Sequence, residues 1–147
     1  MAIQIKTLDQ LKTMRRAGLL VGQTLELLRQ SIKVGMRTDA LDAIAAANIK
    51  RGGGTSNFLG YHGYPATICI SINDEIVHGI PGDRIIQDGD VVSIDCGAII
   101  EGWHGDAAFS YGVGTVDSAD QKMMDVCEES MWRGFAAAKV GGRLTDI

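Results

Sequence analysis

Two aspartates, Asp95 and Asp106, stand eleven residues apart in the stretch Ser93-Ile94-Asp95-Cys96-Gly97-Ala98-Ile99-Ile100-Glu101-Gly102-Trp103-His104-Gly105-Asp106. Val91–Ile94 reads as a strand, Ala107–Tyr111 reads as another, and Glu101-Gly102 is the natural two-residue turn because Gly accepts positive φ. If Ile100 faces Trp103 across that turn, Asp95 lies opposite Ala108 and Asp106 opposite Gly97. Side chains alternate with period two, so the carboxylates share one face as diagonal neighbours, roughly 7–8 Å apart at Cα. Two carboxylates on an apolar hairpin repel each other and lose hydration, and a divalent cation would relieve both. The ordinary alternative is a pair of solvated or turn aspartates on a polar outer face, and a register shift of one residue would separate the pair.

The elements that must hold this hairpin are legible around it. Leu8, Leu11, Met14, Gly18, Val21, Leu25, Leu28 and Ile32 recur every three or four residues, the stripe of a long helix, with Thr7 and Gln10 as its capping box. Thr38 is expected to cap a second helix carrying Leu41, Ile44, Ala45 and Ile49, which Gly52-Gly53-Gly54 stops. A Gly- and Tyr-rich loop follows, then a strand at Thr67–Ile72, a shorter one at Glu75–His78, and the hairpin at about Val91–Val113. Ser118 with Gln121 is expected to cap a third helix, with Met124, Cys127, Met131 and Phe135 in one stripe. Two helices, then strands, then a helix imply an α+β fold, an antiparallel sheet with helices on one face.

Composition sets the bounds. At 147 residues the chain has the size of one domain. A net charge of −4 with no basic run gives nothing for nucleic acid to hold. No stretch approaches a membrane span, and Met1–Lys6 lacks a signal-peptide apolar core. Three widely spaced cysteines, Cys69, Cys96 and Cys127, fit reduced thiols of a cytoplasmic protein. One short pattern recurs: Lys33-Val34-Gly35-Met36-Arg37 before Thr38-Asp39, and Lys139-Val140-Gly141-Gly142-Arg143 before Thr145-Asp146, 106 residues later. Read as a repeat, it makes residues 1–117 one unit and 118–147 the opening of a second, so that 1–147 is expected to be the N-terminal part of a larger catalytic domain.

Four motifs in order carry a resemblance: Gly60-Tyr61-His62-Gly63-Tyr64-Pro65; Cys69–Glu75 with His78-Gly79-Ile80-Pro81; Ile94-Asp95; and Gly102-Trp103-His104-Gly105-Asp106. Together they resemble type I methionine aminopeptidase along the length of the chain. The resemblance implies the pita-bread fold, two pseudo-symmetric halves around a dinuclear site of divalent ions (Co, Mn, Fe or Zn), and removal of the initiator methionine from nascent peptides. It implies Asp95 as the bidentate metal ligand and Asp106 as the bridging one, His78 as the catalytic histidine contacting substrate, and Phe58, Tyr61, Tyr64 and Cys69 as the near wall of the methionine pocket. Two divalent ions can hold a hydroxide at neutral pH, oxygen ligands suit such metals, and aromatic rings with a thiol suit a thioether. His62 and His104 receive no role.

The family's further ligands, one histidine and two glutamates, belong to its second half, and no histidine follows His104 here. The expectation is therefore an N-terminal half that is inactive alone, binds metal weakly or not at all, and pairs with a C-terminal half or a second copy of itself. The competing reading is a non-enzymatic peptide- or protein-binding module on a pita-bread half.

Overall fold

The computed structural model describes residues 3–147; Met1 and Ala2 lie outside the described residues. Helix α1 (Leu8–Ser31) starts at Thr7, whose hydroxyl accepts from the Gln10 N–H while the Gln10 side chain accepts from the Thr7 N–H, the expected box. Helix α2 (Thr38–Arg51) ends at Gly52 as expected, but its cap is Arg37, not Thr38. Thr38 is the first helical residue and is buried. Its hydroxyl is bonded to Gly82, and the N–H groups of Thr38 and Asp39 donate to the carbonyls of Arg84 and Gly82. The loop supplies acceptors that a capping side chain would otherwise provide. Helix α3 (Ser118–Ala137) likewise starts one residue earlier than expected: Asp117 caps it by accepting from the Ala119 N–H, and the Gln121 side chain donates to Asp125 instead.

The sheet is antiparallel. Strands β1 (Thr55–Ser56) and β2 (Ile68–Ile72) pair with one edge of β3 (Val91–Ile100), and β4 (Trp103–Gly112) pairs with the other. β1 lies in a segment read as loop. The expected strand at Glu75–His78 is a turn and loop: Asn73 and His78 sit at φ 58° and 61°, which an extended strand cannot accommodate. That segment still lies against β2, since Gly79 accepts from the Ile70 N–H and donates to Ser71 Oγ.

One face of the sheet is closed. Ile68, Ile70, Ile72, Val92, Ile94, Cys96 and Ala98 point to it and pack with Ala17, Leu20, Val21 and Leu28 of α1 and Leu41, Ala45 and Ile49 of α2. Closeness is set at Gly105, where an added Cβ would lie 2.6 Å from the backbone of Ala17 and Gly18. Helix α3 contributes nothing fully buried; of its stripe Met124 is half-buried, while Cys127, Met131 and Phe135 are exposed. Gly35 and Gly141, the corresponding glycines of the two similar linkers, take φ of 85° and 86°.

Candidate metal centre

The turn at Glu101-Gly102 has both residues at positive φ, 50° and 79°, the two-residue geometry that matches strand twist. It fixes the register Ile100↔Trp103, Gly97↔Asp106 and Asp95↔Ala108, as the sequence predicts. Odd-numbered residues of β3 and even-numbered residues of β4 therefore share the face opposite α1. Along it run Ser93, Asp95 and Gly97 beside Asp106, Ala108 and Ser110, with Cys69 and Ser71 of β2 opposite Asp95 and Ser93. This face lies away from the buried residues of α1 and α2, which pack on the other. Ser93 and Ser110 are joined across the strands at 2.8 Å.

Asp95 is half-buried and Asp106 exposed, on neighbouring strands and on the same face of the hairpin. Burial first, and then the Asp106 carboxyl, pushes the Asp95 carboxyl up to about 6, while nearby His78 pulls it down. That is the signature of two acids crowded at one spot. A cation placed between them would remove the repulsion that raises Asp95. The donors are hard oxygens, which suit a divalent first-row ion. Among the described residues no three His, Cys, Asp or Glu side chains gather at one point.

The other expected site residues surround the pair unevenly. His78 is brought near Asp95, exposed and held at positive φ by the Gly79 contacts to β2. Gly79 leaves no choice there, since a Cβ would stand 2.1 Å from the Ile70 carbonyl oxygen. Cys69 is buried directly opposite Asp95, its thiol pushed up by burial. Tyr64 lies beside it, its hydroxyl 2.9 Å from the Gly79 carbonyl and 3.1 Å from that of Ile68, with burial raising its pKa. Phe58 meets Tyr64 edge-to-face at 6.5 Å. Tyr61 stands apart: it is 67% exposed and meets the His62 ring edge-on at the loop tip. His104, given no role from the sequence, lies in an unbroken β4 on the face of Asp106, exposed and two residues away.

Sequence reasoning missed Asn57. Its N–H donates to the Gly97 carbonyl, which continues the β1 pairing by one residue, and its side chain lies over Gly97. The signal was Gly97 itself, a glycine inside a strand, where close approach of another group is a standing reason for having no side chain.

The model of metallopeptidase family M24 matches residues 12–147. The methionine aminopeptidase 1 of Bacillus subtilis is 47% identical over 142 residues, 97% of this chain and 57% of that protein. That of Mycobacterium tuberculosis is 47% identical over 97% of this chain and 54% of its own length. The crystal structure of methionine aminopeptidase from Rickettsia prowazekii superposes with a TM-score of 0.88 at 34% identity, covering 90% of this chain and 54% of the other. The chain thus spans a little over half the length of the relatives it matches, and its fold is that of the pita-bread proteins. A family match over nearly its whole length, joined to the carboxylate pair on the open face of the hairpin, places this chain in metallopeptidase family M24.

Proposed function

We propose that this chain carries the N-terminal half of a methionine aminopeptidase, an exopeptidase that removes the initiator methionine from nascent peptides in the cytoplasm. The single observation behind this reading is the convergence of Asp95 and Asp106 on the open face, in a chain 47% identical to proteins of that name. Asp95 and Asp106 would hold one side of a pair of divalent ions, Mn, Fe, Co or Zn. When bound, such ions polarise a scissile carbonyl and lower the pKa of water. His78, presented on its left-handed turn beside Asp95, would donate to or accept from the peptide group next to the reacting carbon. Phe58, Tyr64 and Cys69 form an apolar, sulfur-tolerant wall for a methionine side chain, and Tyr61 would close over it from the loop tip.

Two carboxylates do not complete a dinuclear site, so the 147-residue species is expected to be inactive alone and to bind metal weakly. The exposed stripe of α3 and the outer edge of β4, unpaired among the described residues, are the surfaces that a C-terminal half or a second copy would cover. No helix among the described residues is long and apolar enough to cross a membrane.

The test is release of methionine from a Met-Gly-Met peptide with Mn, Co or Fe supplied. The 147-residue species should show no turnover, and the same sequence continued by the second half of the Bacillus subtilis relative should show it. Asp106→Asn and His78→Ala should abolish that activity. Robust turnover by the verified short species, or an active fusion indifferent to Asp106→Asn, would reject the assignment. Peptide binding by both the short species and the fusion, with hydrolysis by neither, would favour the binding-module alternative.

A further inference from the structure

The edge of β2 that β3 does not use offers three main-chain N–H groups, and each is taken by a different acceptor. Those of Ile68 and Ile72 donate to the Asp42 and Glu75 carboxylates, at 2.9 and 2.8 Å. That of Ile70, between them, donates to the Gly79 carbonyl at 2.9 Å. A free strand edge is a template for further chain, and here it holds the loop that follows β2. Gly79 is fixed at both of its polar groups: its N–H donates to Ser71 Oγ at 3.1 Å, and its carbonyl also accepts from the Tyr64 hydroxyl at 2.9 Å. Ser71 is 4% exposed and shares the open face with Cys69, opposite Ser93. Between the anchors at Glu75 and Gly79 the chain stands out from the protein, with Ile76 90% and Val77 64% exposed. His78 ends that stretch at φ 61°, a left-handed conformation that a residue with a side chain keeps only when its surroundings impose it. The contacts that impose it are those made by the next residue, Gly79.

We propose that Ser71, together with the Tyr64 hydroxyl, is a positioning residue of the peptidase reaction: the two clamp Gly79 and so hold His78 in the turn that presents its ring to the substrate. This rests on the reading of His78 as the histidine that contacts substrate. Valine would suit a buried strand position as well as serine, but it would leave the Gly79 N–H without an acceptor. The Tyr64 ring belongs to the wall for the methionine side chain, edge-to-face with Phe58, while its hydroxyl reaches Gly79. One side chain therefore ties the surface that would bind methionine to the turn that would reach its peptide group. Holding that turn before substrate arrives is how a supporting residue lowers the cost of orienting a reacting group.

The experiment reads the clamp and the reaction separately. In the 147-residue chain, amide hydrogen exchange followed by NMR should show Gly79 exchanging about tenfold faster in Ser71→Ala than in the parent, with the core amides of Val92 and Ile94 unchanged. A serine that merely stabilised the fold would speed exchange throughout the sheet. In the fusion with the second half of the Bacillus subtilis relative, Ser71→Ala and Tyr64→Phe should each lower kcat about tenfold and leave KM within about twofold, since the methionine wall stays while the histidine is misplaced. Ser71→Thr, which keeps the accepting oxygen, should return both Gly79 exchange and kcat to within about threefold of the parent. Ser71→Ala with the parent kcat, or with Gly79 still protected, would overturn the inference and leave the proposed function standing. So would a Ser71→Thr variant that protects Gly79 yet turns over as slowly as Ser71→Ala. A raised KM at unchanged kcat in Tyr64→Phe would make its hydroxyl a binding group and remove it from the clamp. A parent fusion without turnover would instead reject the functional reading, and this inference with it.

Discussion

The two faces of the β3–β4 hairpin are built from alternate residues of the same strands and could hardly differ more. Toward α1 stand Ile94, Cys96, Ala98 and Gly105, all buried, with the helix backbone so near Gly105 that no Cβ fits. Away from it stand Asp95, Gly97 and Asp106, where acids are crowded and a buried amide oxygen has no partner. The closed face fixes the register, because a slip of one residue would drive every apolar side chain out of the core. The open face inherits that register without contributing to it, and is therefore free to hold groups that repel one another. Stability on one side underwrites chemistry on the other.

The sharpest way to break this division is at Gly105. Gly105→Ala forces a methyl to within 2.6 Å of the α1 main chain, where no rotamer can give way. Overpacking against backbone should cost about 3 kcal/mol, and the lost helix–sheet fit should remove Mn(II) binding with it. Denaturant unfolding of the variant measures the first effect. A variant as stable as the parent chain would mean that α1 does not set the position of the hairpin.

A substitution on the open face should do the opposite. Asp106→Asn relieves the repulsion on Asp95, so the metal-free chain should melt at an equal or higher temperature at neutral pH, while Mn(II) affinity falls about tenfold, about 1.4 kcal/mol. Calorimetry beside a thermal melt separates the two. Loss of stability together with loss of binding would show that the carboxylate pair is structural.

The hairpin was legible in the sequence because its information is local: period-two alternation, a turn residue that accepts positive φ, and a Gly at the only place a two-residue loop could go. Asp95 and Asp106 followed from that register, whereas Cys69 as a pocket residue came only from the resemblance to a known family. Glu75–His78 was not legible, because Ile76 and Val77 favour a strand while the left-handed conformations of Asn73 and His78 are imposed by contacts with β2 and Asp90. The caps at Arg37 and Asp117 were missed by one residue each. At the first, the acceptors come from a distant loop; at the second, two good capping residues stand side by side. Asn57 was out of reach of pairwise spacing, since it acts over β3 on a strand that is not its own neighbour.

A smaller effect follows from the proton on Asp95. The folded carboxyl keeps its proton up to about 6, raised from 3.8, because burial and Asp106 disfavour its charge. A group whose pKa is raised on folding stabilises the fold fully below the unfolded value and loses that contribution as pH rises through the folded value. The metal-free chain should therefore lose melting temperature relative to Asp95→Asn between about pH 4 and about pH 6, a modest loss because the group is partly solvated. A difference that stays flat over that range would mean that the two acids do not crowd each other.

The smallest effect on stability should come from α3, whose apolar residues belong to neither face. Met131 is 43% exposed and Phe135 61% exposed, whereas Ile94 on the closed face is 0% exposed. An aspartate at 131 or 135 meets solvent, does not bury a charge and leaves no cavity, so Met131→Asp and Phe135→Asp should each change unfolding free energy by about 0.5 kcal/mol or less. Ile94→Ala should cost about 2–5 kcal/mol by opening a hole in the core. The same two aspartates should have a large effect on association, because Trp132 packs edge-to-face on Phe135 at 5.6 Å in an exposed aromatic and methionine stripe of the kind that self-associates. Sedimentation over a concentration series should show the parent chain forming dimers and both variants remaining monomeric at matched concentrations. A parent chain that stays monomeric, with melting indifferent to both substitutions, would mean that the α3 stripe is not an interface between copies.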